Sequence, residues 1–203
     1  MTKITRTDYA VIARWVPLNA RVLDLGCGDG ELLRFLREER GAAGYGIEIA
    51  ADNIVACVKN GVNVIQMDME SGLSGFENSA FDCVILSQTL QAMHHTELMM
   101  REMLRVGLEA IVTFPNFGYW RHRLQVLQGR MPVSRDLPYQ WFDTPNIHLC
   151  TLADFEALCD RFDVSILERL VLDGGRVVHS LPNLRGSLAV YRVKAAKQTD
   201  IGK

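Results

Sequence analysis

Apolar and polar positions divide this chain into short strands alternating with helices. Val22, Leu23 and Leu25 form a short apolar run, as a strand covered on both faces requires. Glycines follow at 26, 28 and 30. From Glu31 to Arg40, Leu32, Leu33, Phe35 and Leu36 fall on one side of a helix and charges on the other. The pattern continues as strand 44–49, helix 51–60 stopped at Gly61, strand 62–67, strand 81–87, helix 96–105 and strand 108–114. Ahead of strand 20–25, a helix over 5–16 carries Tyr9, Ile12, Ala13, Trp15 and Val16 until Pro17 ends it. Thr96 is placed to cap the helix begun by Glu97. Beyond the middle of the chain, Thr151 and Asp154 resemble a capping box opening helix 152–161. Strand 163–172, a turn at Asp173-Gly174-Gly175 and strand 187–193 close the pattern, and the tail from Ala195 is expected to be disordered.

Such alternation implies an α/β fold with a doubly wound, mostly parallel sheet and right-handed crossovers. The last two strands, joined without a helix, suit an antiparallel edge. Ligands on such a sheet sit above the carboxyl ends of the strands, where the glycine turn 26–30 lies. That turn leaves N–H groups at the start of helix 30–40, a socket for an anionic or carboxylate-bearing small molecule.

From Phe114 to Ile147 core periodicity is lost. The segment holds seven of the sixteen aromatic residues (Phe114, Phe117, Tyr119, Trp120, Tyr139, Trp141, Phe142) and four of the six prolines. Arg121, His122, Arg123, Arg130 and Arg135 add positive charge. A connection this long is usually functional. It either roofs the ligand pocket or presents aromatic and arginine anchors to a partner protein. The plain alternative is a helix over 119–128 followed by a packed aromatic loop.

With 203 residues, one domain with a sizeable core is expected across 1–203, carrying residues 115–147 as an insertion. A net charge of −2 offers no electrostatic case for a nucleic-acid partner. No apolar run reaches the roughly 20 residues that cross a bilayer, so no membrane role is expected. Residues 1–6 lack a signal-peptide core. Cys27, Cys57, Cys83, Cys150 and Cys159 are scattered without a C-x-x-C pair. They read as reduced core residues of a cytoplasmic protein, not as disulfides or metal ligands. No metal constellation and no serine–histidine–acid order is present.

The glycine turn discriminates between ligands. A dinucleotide fingerprint starting at Gly26 needs its third glycine at position 31, which is Glu31. The glycines alternate instead, as D-x-G-x-G-x-G, and the run VLDLGCGDGELL resembles the first motif of class I S-adenosylmethionine-dependent methyltransferases. Three further segments resemble that superfamily in the right order: GIEI, VIQMDMESGL and FDCVILSQTLQA. Glu48 lies about 20 residues past Gly28, the separation that sets a carboxylate on a ribose diol. The resemblance implies a Rossmann-like fold and a pocket for S-adenosyl-L-methionine or S-adenosyl-L-homocysteine. It would be lined by Asp24, Gly26, Cys27, Gly28, Glu48, Ile49, Asp68, Met69, Ser87 and Gln88, with Leu90 beneath.

Each residue also has a plainer reading. Asp24 either braces the loop or faces the ligand's ammonium group. Asp68 either accepts the adenine amino group, beside the Met69 backbone N–H, or caps a turn. A catalytic base is unknown. His94 and His95 are weak candidates near strand 81–87, against a plain surface pair at a helix start; His122 and His148 would serve a partner interface equally well.

Two further stretches, VTFPNFGYWRHRLQ and the segment ending NIHLCTLADFE, make the chain resemble the methionine biosynthesis protein MetW family over about residues 7–194. That resemblance implies a protein of methionine biosynthesis acting beside a homoserine O-acyltransferase, acetyl- or succinyl-, and supporting its activity. The rival expectation is a methyltransferase acting on a small molecule. A homodimer stays open.

Overall fold

A computed structural model describes residues 6–196; the expectations for residues 1–5 and for the tail from 197 lie outside these described residues. Five parallel strands form most of the sheet: β1 (Arg21–Leu25), β2 (Ala43–Glu48), β3 (Val64–Gln66), β4 (Phe81–Ser87) and β5 (Gly107–Pro115). The chain runs outward through β1, β2 and β3, then returns past β1 to β4, giving the order β3-β2-β1-β4-β5-β8-β6-β7. The reversal lies between β1 and β4, where open α/β sheets bind ligands. β8 (Leu188–Ala195) sits antiparallel between β5 and β6 (Val164–Asp173), as the sequence pattern implies. A two-residue strand β7 (Arg176–Val177) pairs with β6, and a one-turn helix α7 (Pro182–Arg185) precedes β8. Both are too short to leave a periodic signal.

The period of two along the strands sorts the core onto two faces. Leu23, Leu25, Val84, Leu86, Val112 and Phe114 pack with α4 (Thr96–Val106) and α6 (Leu152–Arg161) through Met99, Met100, Met103 and Phe155. Val22, Cys83, Ile85 and Ile111 pack on the other side with α1 (Thr7–Trp15), α2 (Glu31–Arg40) and α3 (Ala51–Lys59), through Ile12, Trp15, Leu33, Leu36 and Cys57. Continuing that second face by one step brings Asp24, Ser87 and Thr113 to the carboxyl ends of β1, β4 and β5. The apolar face therefore ends in a polar cluster under α1.

Several local expectations change. Thr96 is the first residue of α4, not its cap; His95 is the N-cap residue, and the buried Thr96 hydroxyl has no hydrogen-bond partner. The Glu70 carboxylate accepts the backbone N–H groups of His94 and His95, just ahead of the helix. Thr151 does cap α6: its hydroxyl accepts from the Asp154 N–H at 3.3 Å, and Asp154 accepts the Thr151 N–H at 2.9 Å. Ala195 is not in a disordered tail; it ends β8, and the Ala196 N–H donates to the Asp163 carbonyl at 2.8 Å. β3 is shorter than 62–67, and β2 ends at Glu48, which leaves Ile49 exposed beyond it.

Within residues 115–147, α5 (Trp120–Leu127) matches the expected helix. Buried His122 anchors it, with Nδ1 at 3.1 Å from the Asn116 carbonyl and Nε2 at 2.9 Å from the Ser134 hydroxyl. Burial lowers its pKa, so the neutral ring is favoured. The loop after α5 is not a packed aromatic loop throughout, because Trp141 and Phe142 are 73% and 70% exposed. All five cysteines are free. No helix among the described residues is long and apolar enough to cross a membrane.

Candidate functional site

The loop between β1 and α2 turns through three left-handed glycines, Gly26, Gly28 and Gly30, with φ of 69°, 56° and 75°. L-residues resist that region, which is why glycine recurs here. Five of the amides in the expected socket have partners inside the protein. The Gly26 and Cys27 N–H groups both donate to the Ile47 carbonyl, at 2.9 and 3.0 Å, and Gly30 N–H donates to the Cys27 carbonyl at 3.0 Å. Glu31 N–H donates to Asp29 Oδ1 at 3.1 Å. Gly28 N–H donates to Glu48 Oε2 at 2.9 Å. Gly26, Cys27 and Gly28 are thus tied to the end of β2, and Gly30 and Glu31 to the loop itself.

Glu48 is buried at the carboxyl end of β2 and turned into the bend. Its other oxygen accepts the Ile49 and Ala50 N–H groups, each at 2.8 Å. A carboxylate has about four acceptor positions. Three are taken by backbone, so one remains for an incoming hydroxyl without rearrangement.

Asp24 lies at the end of β1, buried, and its Oδ1 has no hydrogen-bond partner. A buried polar atom of this kind is costly unless something completes it. Burial pushes the Asp24 carboxyl up to about 7, nearby Glu48 pushes the same way, and Arg6 opposes both. Arg6, at the start of α1, reaches over the polar cluster. Its guanidinium pairs with buried Asp8 and donates to the Ser87 hydroxyl at 3.0 Å. Ser87 Oγ is 3.3 Å from Thr113 Oγ1. Gln88 adopts φ of 55°, an uncommon conformation for a non-glycine residue, held by its N–H on Thr113 Oγ1 at 3.0 Å. Its side-chain amide reaches Asp8 at 3.4 Å.

The structure thus gathers Asp24, Gly26, Gly28, Glu48, Ser87 and Gln88 around the sheet reversal. Over Gly26 stand two side chains: a Cβ there would meet Thr89 at 3.0 Å and the Met69 methyl at 3.2 Å. A Cβ on Gly28 would meet nothing within 4 Å. Met69 therefore approaches through its side chain, where a backbone contact was expected. The Cys27 thiol turns inward, 3.7 Å from the Cys57 thiol, in space that Gly46 leaves clear; only its backbone faces the loop. Burial raises the Cys27 pKa and favours the thiol over the nucleophilic thiolate. Asp68 is exposed and takes the plain role weighed for it, accepting the Glu70 N–H at 2.9 Å at the head of a single turn, Met69–Ser71.

His94 is exposed, with Nδ1 at 2.9 Å from Glu70 Oε2; that contact and the two backbone donors lower the Glu70 pKa against a burial effect acting the other way. His94, His95 and His148 line one surface crevice with Glu97. Among the described residues no group of three or more His, Cys, Asp or Glu side chains is arranged to hold a metal.

Arg6, Asp8, Thr89 and Thr113 were missed by sequence reasoning. Apolar spacing located α1 but read it only as packing, and an acid in a first helical turn reads as an ordinary end charge. Thr113 alone carried a signal, since it falls in step with Asp24 and Ser87 on the strand period.

The strand order, the glycine turn and the acid ending β2 define a class I S-adenosylmethionine-dependent methyltransferase fold. Solved structures agree. A methyltransferase of Mesorhizobium loti matches with a TM-score of 0.70 at 14% identity, over 93% of this chain and 98% of that one. Another, from Thermotoga maritima, matches with a TM-score of 0.66 at 15% identity, over 93% and 87%. Within that class the chain belongs to the family of methionine biosynthesis protein MetW, whose model matches residues 6–193. A bifunctional methionine biosynthesis protein MetXA/MetW of Rhodopirellula baltica is 37% identical over 197 residues, covering 90% of this chain. The chain spans about a third of that longer protein (32%).

Proposed function

We propose that this protein binds S-adenosyl-L-methionine and acts with a homoserine O-acyltransferase, acetyl- or succinyl-, raising its activity in cytoplasmic methionine biosynthesis. The observation that carries the reading is the Rhodopirellula baltica relative, in which a region 37% identical to this chain shares one polypeptide with MetXA. A shared chain holds two modules at high effective concentration, which favours partners that work together.

The chemistry of the polar cluster fits the small molecule. A zwitterionic amino-acid end needs an anion for its ammonium and a cation for its carboxylate; Asp24 and Arg6 supply these side by side. The unpartnered Asp24 oxygen would be completed by the ammonium. The ribose would meet Glu48, and Ile49 offers an exposed apolar surface beyond it. When bound, the compound supplies an electrophilic methyl group; this chain's residues hold its two ends. On this reading residues 1–203 work as one methyltransferase-like domain with 115–147 inserted.

The test is an acylation assay with purified acyltransferase, with and without this chain and with and without S-adenosylmethionine. Stimulation supports the proposal, and a dependence on the compound would make the crevice a sensor of pathway output. Unchanged rates together with no co-purification would sink it. The second reading, methyl transfer to a small molecule, draws on the fold class. Against it, the candidate base His94 is exposed and engaged with Glu70.

A further inference from the structure

We propose that the acyltransferase docks on the aromatic and arginine surface formed by α5 and the loop that follows it. This rests on the activator reading above and assigns it a surface. Water-exposed large apolar residues are concentrated here. Leu127 is 84% exposed, Trp141 73% and Phe142 70%, with Trp120, Met131 and Leu149 also exposed. Soluble proteins leave such patches mainly where something else covers them.

The residues form a continuous surface. One apolar crevice is lined by Phe117, Met131, Tyr139, Trp141 and Leu149; a second, lined by Val126 and Leu127, shares Phe117 with it. The Trp141 and Phe142 rings meet edge to face, with centroids 5.7 Å apart. The Arg121 guanidinium lies 5.3 Å from the centre of the Trp120 ring. Tryptophan and arginine are the side chains that most often carry interface affinity.

Charge narrows the occupant. Residues 116–150 contain four arginines and two aspartates, a positive surface on a chain of net charge −2. A complementary partner presents an apolar depression rimmed by carboxylates. It is a partner protein and not a second copy of this chain: two copies would bring the same arginines face to face across a two-fold axis. The fused relative names the partner polypeptide.

The surface is also anchored to the site. Ile147 and His148 N–H groups donate to the Gln91 carbonyl at 2.8 and 2.9 Å, and Gln91 Nε2 donates to the Gln88 carbonyl at 2.7 Å. A partner seated on the loop would therefore rest on the segment that carries Gln88 of the polar cluster.

The experiment measures binding of purified full-length chain to the purified acyltransferase, by calorimetry or interferometry, for wild type, the Trp141→Ala/Phe142→Ala double variant, Leu127→Asp, and a Val55→Ala/Val58→Ala control on exposed α3 positions. S-adenosylmethionine binding and melting temperature are recorded for each. The expected result is partner affinity reduced about thirtyfold or more in the double variant and in Leu127→Asp. The control should match wild type, and every variant should keep its melting temperature and small-molecule affinity. A wild-type complex undiminished in both loop variants would overturn the surface while leaving the activator reading intact. No wild-type complex at all would overturn both. Variants that lose S-adenosylmethionine in place of the partner would show a pocket roof, and a wild-type dimer that the variants dissociate would show a self-interface; either overturns the proposal.

Discussion

The backbone N–H of Gly28 donates to the carboxylate of Glu48 at 2.9 Å, joining the glycine turn after β1 to the end of β2. One side chain thereby sets the shape of the loop, and in the proposed function the same side chain meets the ribose. Because Glu48 also accepts the Ile49 and Ala50 N–H groups, Glu48→Ala removes the acceptor of three partly buried donors at once. The expected cost is about 2–4 kcal/mol, seen as a melting temperature lowered by roughly 5–15 °C in scanning calorimetry. Glu48→Gln keeps one acceptor oxygen and should lose about half as much. It should still weaken S-adenosylmethionine about tenfold or more, since an amide offers the diol fewer acceptors.

Asp24 gives the crevice a pH dependence with a definite sign. Its carboxyl is raised by burial to about 7, from an ordinary value near 3.8. The native state keeps the proton longer than the unfolded chain does. Stability from this group is therefore present at pH 4 and lost as pH rises to about 7, with little change above. Three units correspond to about 4 kcal/mol. Asp24→Asn should melt higher than wild type at pH 8 and near wild type at pH 4. Ligand binding should respond in the opposite sense: a cationic ammonium favours ionised Asp24, so wild-type affinity rises between pH 6 and 8. The asparagine variant should bind weakly and without that slope. Titration calorimetry across pH reads both.

Gly26 and Gly28 should separate folding from binding. Both have positive φ, so alanine costs about 1–2 kcal/mol of strain at either. At Gly26 the added methyl also presses on Thr89 and Met69; at Gly28 it enters open space. Gly26→Ala should therefore be the less stable variant. Gly28→Ala should fold with a modest loss of melting temperature yet bind S-adenosylmethionine at least about tenfold more weakly, if that open space is where the ligand sits.

Arg6 and Asp8 should behave as a coupled pair. Asp8 is 1% exposed, and Arg6 pairs with it from a partly exposed position. Arg6→Ala leaves a buried carboxylate unpaired, a loss of about 1–3 kcal/mol after allowing for solvent at the guanidinium. Arg6→Ala with Asp8→Asn should recover most of that stability but not ligand affinity. A double-mutant cycle in urea, with binding measured alongside, checks this.

Much of the architecture was legible because it is periodic. β1, α2, β2 and β4 announce themselves through runs and faces, and Glu48 through its distance from Gly28. What stayed hidden depends on contacts far apart in sequence. The loop amides looked free because the sequence gives no sign that Ile47 and Glu48, twenty residues on, would satisfy them. Glu70 accepting the N–H groups of His94 and His95, ahead of α4, is another contact of this kind. Arg6 and Asp8 sit on a helix whose apolar spacing explains its packing and says nothing of where its polar side chains reach. Trp141 and Phe142 stood out by composition, but exposure follows from the surrounding loop, which has no periodic signal.

The account rests on the crevice beside Asp24 and Glu48 taking up an adenosyl sulfonium compound. Titrating the wild-type chain at pH 8 with S-adenosylmethionine in a calorimeter tests this most directly. Saturable binding near one equivalent per chain, lost in Asp24→Asn, is the predicted result. No heat of binding at millimolar compound, from chain shown to be folded, would contradict it.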